Sequence, residues 1–326
     1  MLCPFCLSKA GFEQQVEGPP GPRCRNADCA ELAPALYVQD YRKYPPVVVS
    51  AVGFREHGKT VYFAALFYAM KKLKLAQHWL KFFTMGLTEE SLQTVYENVG
   101  MLERGELPDA NPKNFPRPTI VRVTGVPIQP DATLLCYDTG GECFERPTQL
   151  IKYASFVKRA QTAMFLISVP NLEDPVREMH RLLETYAVGM SELQTNTKYQ
   201  HLVVVYTKAD MMIDRLARWV NLSSYLREGS MDGMANPQHY MSRLRSVSND
   251  LRDFTGKELG AYEFVNAARQ SFRSVEYTIV SALGAEPIGR ELPVQIAPRR
   301  VLDPLFWLME KSLPGWRRVL RSWLLG

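Results

Sequence analysis

The sequence VSAVGFREHGKT, residues 49–60, runs from apolar residues into the tripeptide Gly58-Lys59-Thr60. It fits the pattern G-x-x-x-x-G-K-[ST], with Gly53 as its first glycine. The β-branched residues before it predict a strand buried on both faces, and the apolar residues after it predict a helix. Such a loop points backbone N–H groups at phosphate oxygens, while the lysine reaches the terminal phosphates and the threonine ligates Mg²⁺. A strand–turn–helix that carries Gly-Lys-Thr by coincidence is the alternative.

The amino-acid composition excludes few classes of protein. Of 326 residues, 46% are hydrophobic and 22% are charged, as in soluble globular proteins. The net charge of +5 is concentrated near the C-terminus, which argues against a basic nucleic-acid coat. There is no apolar run of the roughly 20 residues that a membrane span needs, and no secretory signal at the start. We expect a cytoplasmic protein.

Predicted strands and helices alternate along most of the chain. This order predicts an α/β fold with a doubly wound, mostly parallel sheet and helical insertions. IVRVTGV and ATLLCYD are predicted to pair as a hairpin, and TQLIKYASFVKRA to form one helix. In an open α/β sheet, ligands bind beyond the carboxyl ends of the strands.

A second motif follows the predicted strand ATLLCYD. Asp138 ends this strand, and Gly141 lies three residues further on in DTGG. An aspartate at that place can hold Mg²⁺ through water, and the Gly141 N–H can turn to a γ-phosphate. Asp-Gly turns are common, so it is the order of the two motifs along the chain that indicates a nucleotide site.

Two further strand ends favour guanine as the base. VVVYTKAD places Thr207, Lys208 and Asp210 after a strand. A carboxylate can accept hydrogen bonds from N1–H and the exocyclic amine of guanine, whereas adenine has no such donor pair. YTIVSALG places Ser281 and Ala282 at another strand end, where a backbone N–H can meet guanine O6.

These four motifs, in this order, resemble the GTPases of the translation-factor and Ras-like class over about residues 47–285. The resemblance implies a P-loop GTPase-type fold that binds GTP or GDP with Mg²⁺ and hydrolyses GTP. It implies nucleotide contacts at Gly53, His57, Gly58, Lys59, Thr60, Asp138, Gly141, Thr207, Lys208, Asp210, Ser281 and Ala282. It implies catalytic roles for Lys59, Thr119, Gly141 and Glu142, and magnesium ligation by Thr60 and Asp138.

Two positions, Glu142 and Thr207, depart from this class, and the switch threonine has several candidates. Thr119 is the candidate for the threonine that closes on Mg²⁺ and γ-phosphate, and Thr88, Thr94 and Thr124 are its rivals. Glu142 stands where Ras-like enzymes carry a water-orienting glutamine, so we expect slow hydrolysis or a helper group from elsewhere. Thr207 replaces the commoner asparagine, a change that the class tolerates. Arg55 and His57 are expected to be solvated loop side chains, with a catalytic contribution as the alternative.

The first 36 residues form a separate cysteine-rich module. Cys3 and Cys6 form one C-x-x-C pair, and Cys24 and Cys29 form a looser second pair. Two such pairs can close a tetrahedral thiolate site, and a module too small to bury a core would depend on the metal to fold. We predict a structural Zn²⁺ site, with a redox pair as the alternative. Cys136 and Cys143 are expected to be packed in the core or its surroundings.

The chain therefore divides into a zinc ribbon (1–36), a GTPase domain (47–290) and a C-terminal docking segment with a basic amphipathic helix (291–326). In that helix, one apolar face is formed by Trp316, Val319, Leu320, Trp323 and Leu324. It could lie on an anionic membrane, in the groove of a partner or on its own GTPase domain. The preceding VLDPLFWLM is expected to pack on the body.

The zinc ribbon, the proline-rich segment after SALG and the helical insertions are similar to the double-GTPase families of bacterial conflict systems. This resemblance implies another GTPase or an effector module as partner. A nucleotide-dependent dimer is an alternative. Nucleic acid is not expected as a partner, except through the zinc ribbon. The leading interpretation is a regulatory GTPase. A nucleotide-binding scaffold with little or no turnover, and an ATPase with a coincidental TKAD, are the alternatives.

Overall fold

The computed structural model describes residues 1–14, 21–109, 114–228, 236–292 and 294–312. The strands in these ranges are β1 (Phe12–Gln14), β2 (Pro22–Cys24), β3 (Pro46–Val52), β4 (Phe83–Gly86), β5 (Thr119–Thr124), β6 (Ala132–Tyr137), β7 (Thr162–Ile167), β8 (His201–Tyr206) and β9 (Ser274–Ile279). The helices are α1 (Ala35–Gln39), α2 (Lys59–Lys72), α3 (Glu89–Glu103), α4 (Pro147–Tyr153), α5 (Pro175–Glu192), α6 (Ile213–Leu216), α7 (Val220–Arg227), α8 (Pro237–Lys257), α9 (Tyr262–Ser271) and α10 (Asp303–Ser312).

One sheet organises most of these elements. Its strand order is β4-β5-β6-β3-β7-β8-β9. The five strands β6, β3, β7, β8 and β9 are parallel to one another. At one edge, β5 pairs antiparallel with both β6 and β4. The predicted mostly parallel α/β sheet and the predicted β5–β6 hairpin are confirmed. The sequence did not indicate β4, because FTMG has only four residues, too few for an alternating pattern to stand out.

The parallel strands are apolar because helices cover both of their faces. Every residue of β6, β7 and β8 is buried. One face packs against residues of α2, α3 and α10, and the other against α4, α5 and α9. The helix predicted for TQLIKYASFVKRA is interrupted, since α4 ends at Tyr153 and residues 155–159 form a 3₁₀ turn.

The C-terminal helix α10 is part of the core. It contacts β3, β7, β8 and β9, and Trp307 is buried. The carboxylate of Asp303, at its first turn, accepts hydrogen bonds from the hydroxyls of Tyr225 and Tyr240. Burial raises the pKa of Asp303 to about 6. The expectation that VLDPLFWLM packs on the body is confirmed, whereas the predicted amphipathic helix after it, within 313–326, lies outside the described residues.

A two-stranded antiparallel ribbon, β1 with β2, belongs to the cysteine module. Leu2, Leu7 and Ala33 of this module join the hydrophobic cluster that covers one face of the large sheet, so the module is packed on it. Among the described residues, no helix has both the length and the hydropathy that crossing a membrane requires.

Candidate functional site

Residues 53–58 form the loop between β3 and α2, and glycine is needed at both of its ends. A Cβ on Gly53 would lie 2.5 Å from the carbonyl oxygen of Leu166 on β7. Gly58 has φ of 77°, a left-handed conformation that favours glycine, and α2 begins directly after it. The first N–H groups of α2 therefore face the loop, as an anion-binding helix terminus requires.

Lys59 is the first residue of α2, and its side chain extends back into this loop. The residue is only 6% exposed. Its Nζ donates to the carbonyls of Gly53 and Phe54, both at 2.9 Å. Desolvation lowers the pKa of Lys59 to about 8, although the charges of Asp138 and Glu142 oppose this shift. The loop thus holds a cation that has exchanged water for backbone carbonyls, and a phosphate beside it would restore the preference for the charged form.

His57 is buried, which corrects the expectation of a solvated loop side chain. Its Nδ1 lies 3.0 Å from the carbonyl oxygen of Leu166, and its own carbonyl accepts from the Thr207 hydroxyl at 3.0 Å. Burial lowers the pKa of His57 to about 4, so the ring is neutral near pH 7 and donates from Nδ1. His57 therefore fastens the loop to the ends of β7 and β8.

The DTGG segment touches the phosphate loop directly. A Cβ on Gly141 would lie 2.2 Å from the backbone nitrogen of Arg55. Asp138 follows the last residue of β6, and the Thr139 hydroxyl donates to the carbonyl of Asn114 at 3.1 Å. The structure therefore packs Gly141 against the phosphate loop and places Asp138 where its charge acts on Lys59. It also ties this segment to the residues before β5.

Glu142 forms an ion pair with Arg55, with 3.0 Å between Oε1 and Nε. The Arg55 side chain is 71% exposed and that of Glu142 is 29% exposed. Sequence analysis did not pair them, because they belong to separate loops. The pair places a cation beside the carboxylate that stands at the position of the water-orienting glutamine.

Thr119 is the first residue of β5 and pairs with Cys136, two residues before Asp138. Its three rivals have structural hydrogen bonds elsewhere. Thr88 caps α3 by accepting from Ser91 N, Thr94 donates to Glu90 O within α3, and Thr124 donates to Lys81 O at the far end of β5. Their positions favour Thr119 among the four.

The TKAD and SALG segments are hydrogen-bonded to each other. The Ser281 hydroxyl donates to the carboxylate of Asp210 and accepts from the Gly284 N–H at 3.0 Å. The Ala209 N–H donates to Val280 O at 3.1 Å. Lys208 has φ of 56° and its Nζ donates to Asn171 Oδ1 at 2.7 Å.

A cavity of about 380 Å³ lies at the carboxyl edge of the parallel strands. Of the predicted residues, it is lined by Gly58, Thr207, Lys208, Asp210 and Ala282. Lys59, Thr60, Asp138, Gly141 and Ser281 do not line it. The predicted set is therefore divided between an open pocket and a phosphate loop that is closed around the Lys59 ammonium.

Most residues that line this cavity were not predicted, and two polar ones, Glu56 and Asn171, lie close to each other. Glu56 stands at a variable position of the phosphate-loop pattern, and Asn171 follows the end of β7. The Asn171 Nδ2 lies 3.5 Å from the Glu56 carboxylate, and the Asn171 Oδ1 accepts from both Ser168 and Lys208. The position of Asn171 beyond a parallel strand was the available signal, since the carboxyl ends of such strands share one edge.

The four predicted cysteine ligands converge. Their Sγ atoms all lie within 4.8 Å of one another. The Cys3–Cys29 and Cys6–Cys24 Sγ separations are 3.9 Å and 3.7 Å. In a tetrahedron with Zn–S bonds of about 2.3 Å, sulfur atoms lie about 3.8 Å apart. The cluster therefore has the donor set and the size of a structural zinc site.

The environment of the cluster shifts the pKa values of its thiols in both directions. At Cys6 the effect of burial is outweighed by hydrogen bonds, which lower its pKa. Backbone N–H groups of Phe5 and Asn26 donate to the Sγ atoms of Cys3 and Cys24. Burial raises the pKa of Cys3 strongly and that of Cys29 to about 11. A bound cation would offset this cost of charge. Outside the cluster, Cys136 and Cys143 are buried as expected.

Comparison with known proteins gives little beyond this geometry. No protein-family model matches the chain, and no curated protein matches it. Solved structures that match include the GTPase-like domain of Saccharomyces cerevisiae Ski7 bound to GDP and inorganic phosphate, with 14% identity and a TM-score of 0.37 over 85% of this chain and 53% of that one. The same domain bound to GTP matches with 13% identity and a TM-score of 0.36 over 85% and 53%.

A third match is a mutation variant of SsGBP, with 12% identity and a TM-score of 0.32 over 86% of this chain and 61% of that one. The chain thus spans about half to three-fifths of these structures. At such TM-scores and identities the matches carry no argument about function, which depends on the residues themselves.

Proposed function

We propose that the chain is a regulatory GTP-binding protein that uses Mg²⁺ and hydrolyses GTP slowly to GDP. The observation that carries this proposal is the shared cavity of Gly58, Thr207, Lys208, Asp210 and Ala282. These residues come from three separate motifs, and the cavity opens beside a phosphate-binding loop. A nucleotide fits this arrangement, because its charged phosphates would lie in the loop and its flat base in the cavity.

The phosphate end would be held by the loop between β3 and α2. N–H groups of the loop and of the first turn of α2 donate to phosphate oxygens, and the buried Lys59 supplies a positive charge in a site of low polarity. When bound, Mg²⁺ would neutralise the β- and γ-phosphates. The hydroxyl of Thr60 and the carboxylate of Asp138 are the oxygen donors that suit it.

The base would be read in the cavity by Asp210. Its carboxylate accepts from Ser281 and keeps further lone pairs for N1–H and the exocyclic amine of guanine. The stem of Lys208 can pack against the purine, and the Ala282 N–H can donate to O6. A cavity of about 380 Å³ has room for the base and the ribose.

Hydrolysis depends on the segment that touches the phosphate loop. The Gly141 N–H and the Thr119 hydroxyl would close on the γ-phosphate when GTP binds, and Glu142 would orient the attacking water. The Arg55 guanidinium, 3.0 Å from Glu142, offsets part of the repulsion between carboxylate and phosphate. Because the carboxylate is already paired, we expect slow intrinsic turnover.

The same ion pair favours a second candidate function, a nucleotide-binding scaffold without turnover. In that case Arg55 would hold Glu142 away from the attacking water in every nucleotide state. A structural Zn²⁺ on the four cysteines, a cytoplasmic location and a partner that is another GTPase or an effector, as in bacterial conflict systems, complete the proposal. The partner rests on the sequence resemblance alone.

A thermal-shift panel with GTP, GDP, ATP and ADP, each with Mg²⁺, tests the proposal. Guanine nucleotides should raise the melting temperature and adenine nucleotides should not. Single-turnover phosphate release then separates a GTPase from a scaffold. Glu142→Gln, which removes the charge and keeps the shape, should speed this release. Stabilisation by ATP alone would overturn the proposal.

A further inference from the structure

The first cysteine pair contacts the strand that carries Asp138. The hydroxyl of Tyr137, the last residue of β6, donates to the carbonyl of Pro4, which lies between Cys3 and Cys6. Tyr137 is fully buried, and burial raises its pKa, so the hydroxyl stays a donor. Its ring stacks on Phe156 with 4.7 Å between the centroids. The side chain before Asp138 is thus fixed from two sides.

A second contact reaches the segment that precedes Thr119. The Arg117 guanidinium lies 5.0 Å from the ring centroid of Phe5, which is also between Cys3 and Cys6. It forms ion pairs with Glu31 of the module at 3.1 Å and with Glu90 of α3 at 3.4 Å. Each exposed ion pair adds little stability. Together with the Phe5 contact, the pairs place this segment against the cysteine module.

The two contacted segments are also joined to each other, because Thr139 donates to Asn114 O. Both of the loops that the proposed function assigns to the γ-phosphate are therefore attached to one cysteine pair. The shape of that pair depends on what holds its sulfurs together, since a module of this size buries too little surface to be rigid alone. Zn²⁺ held by the four thiolates would supply this rigidity.

We propose that Tyr137 is a positioning residue that couples metal binding at Cys3, Cys6, Cys24 and Cys29 to nucleotide binding at Asp138. The metal fixes the Pro4 carbonyl, the carbonyl fixes Tyr137, and Tyr137 sets the direction in which the chain leaves β6 toward Asp138 and Gly141. This inference rests on the proposed function. Linkage makes the coupling reciprocal, so a bound nucleotide must tighten the hold on zinc by the factor by which zinc tightens the hold on nucleotide.

The test measures zinc affinity on the full chain by competition with a chromophoric chelator. Titrations are run without nucleotide and with saturating Mg²⁺ and a non-hydrolysable GTP analogue. We expect the analogue to tighten zinc binding at least about fivefold, the lower end of couplings between sites. Tyr137→Phe keeps the stacked ring and removes the hydroxyl, and it should reduce this factor to less than about twofold.

Tyr186→Phe is the matched control. It removes a buried hydroxyl that donates to Gln200 Oε1 at 2.9 Å, in the same hydrophobic cluster but without contact to the cysteine pair. This variant should keep the wild-type factor. If Tyr137→Phe does not fold, Arg117→Gln tests the link through the exposed contact and should also lower the factor.

Equal zinc affinity with and without the analogue in the wild-type protein would overturn the inference. So would a Tyr137→Phe variant in which the analogue tightens zinc binding as much as in the wild type. A separate titration of the zinc-loaded protein with fluorescent GDP distinguishes failure of the inference from failure of the proposed function. Binding of GDP without any effect on zinc removes the inference alone. Failure to bind any guanine nucleotide removes the proposed function as well.

Discussion

The hydroxyl of Ser281 donates to the carboxylate of Asp210 across the gap between two loops that follow β8 and β9. The residues are 71 positions apart in the chain. Ser281 also accepts from the Gly284 N–H, which fixes the direction of its proton. One carboxylate oxygen is thereby held in place while lone pairs are kept for a ligand. Under the proposed function, these lone pairs would accept hydrogen bonds from the edge of the purine.

Ser281→Ala should weaken GDP binding about five- to tenfold, because the Asp210 carboxylate loses a donor that orients it. Isothermal titration calorimetry with Mg²⁺-GDP measures the effect. Ser191→Ala, an exposed serine on α5, is the control and should bind GDP as the wild type does. Unchanged GDP affinity in Ser281→Ala would show that the hydrogen bond has no part in binding.

Lys59 gives a prediction for pH. Its pKa falls from an ordinary 10.5 to about 8 in the folded protein. Between these values the unfolded chain binds more protons, so the free energy of unfolding rises with pH, by at most about 1.4 kcal/mol per unit. Lys59→Met should lack this rise.

Urea denaturation at pH 8, 9 and 10 without nucleotide checks the difference between wild type and variant, in which the other titrating groups cancel. Lys72→Met, at an exposed lysine near the end of α2, should follow the wild-type slope. Parallel curves for wild type and Lys59→Met would mean that the Lys59 ammonium is not desolvated.

Gly141→Ala should impair hydrolysis without unfolding the protein. The new Cβ would lie 2.2 Å from Arg55 N and 2.4 Å from Phe54 C, which are backbone atoms that cannot turn aside. The two loops must separate, and we expect at least tenfold slower single-turnover phosphate release, about 1.4 kcal/mol in the barrier.

Gly100→Ala provides the control for that change. There the nearest atom is the tip of Arg104, at 3.3 Å, and the residue lies inside α3. Alanine should stabilise the helix by up to about 1 kcal/mol and leave phosphate release unchanged. Wild-type release by Gly141→Ala would place the γ-phosphate away from this contact.

Glu56 has φ of 60° within the phosphate loop, where a side chain costs about 1–2 kcal/mol. Glu56→Gly should therefore raise the free energy of unfolding by about 1 kcal/mol in urea titrations without nucleotide. Glu97→Gly, at an exposed position inside α3, should lower it by about as much. If both substitutions destabilise, the loop has a different conformation in solution.

The sequence predicted the features that are local or that depend on a repeated rule. The phosphate loop is specified by a short pattern, and hydrophobic strands that alternate with helices bring their carboxyl ends to one edge. The cysteine cluster followed from the spacing of Cys3, Cys6, Cys24 and Cys29, whose sulfurs now lie within 4.8 Å. In each case the signal is a spacing or a periodicity that can be recognised along the chain without knowing which distant residues pack together.

Other features depend on contacts between distant residues, which a single sequence does not show. The polarity of His57 suggested an exposed side chain. Its burial depends on a hydrogen bond to Leu166 on a neighbouring strand, which the sequence does not show. Asn171 reaches the cavity because β7 ends beside the phosphate loop. The contact of Tyr137 with Pro4 joins residues 133 positions apart. These positions can be identified only once the packing of neighbouring strands and of the cysteine module is known.

Asp210→Asn tests recognition of guanine most directly. Xanthine carries a carbonyl where guanine has its exocyclic amine, so an asparagine amide can accept from N1–H and donate to that carbonyl. Competition titrations with fluorescent GDP and XDP give both affinities, and Asp214→Asn on α6 is the matched control, expected to retain wild-type binding.

We predict that Asp210→Asn lowers GDP affinity about 10- to 100-fold and binds XDP at least about tenfold tighter than GDP. A variant that binds GDP as tightly as the wild type and gains nothing for XDP would contradict the assignment of this cavity to a guanine base.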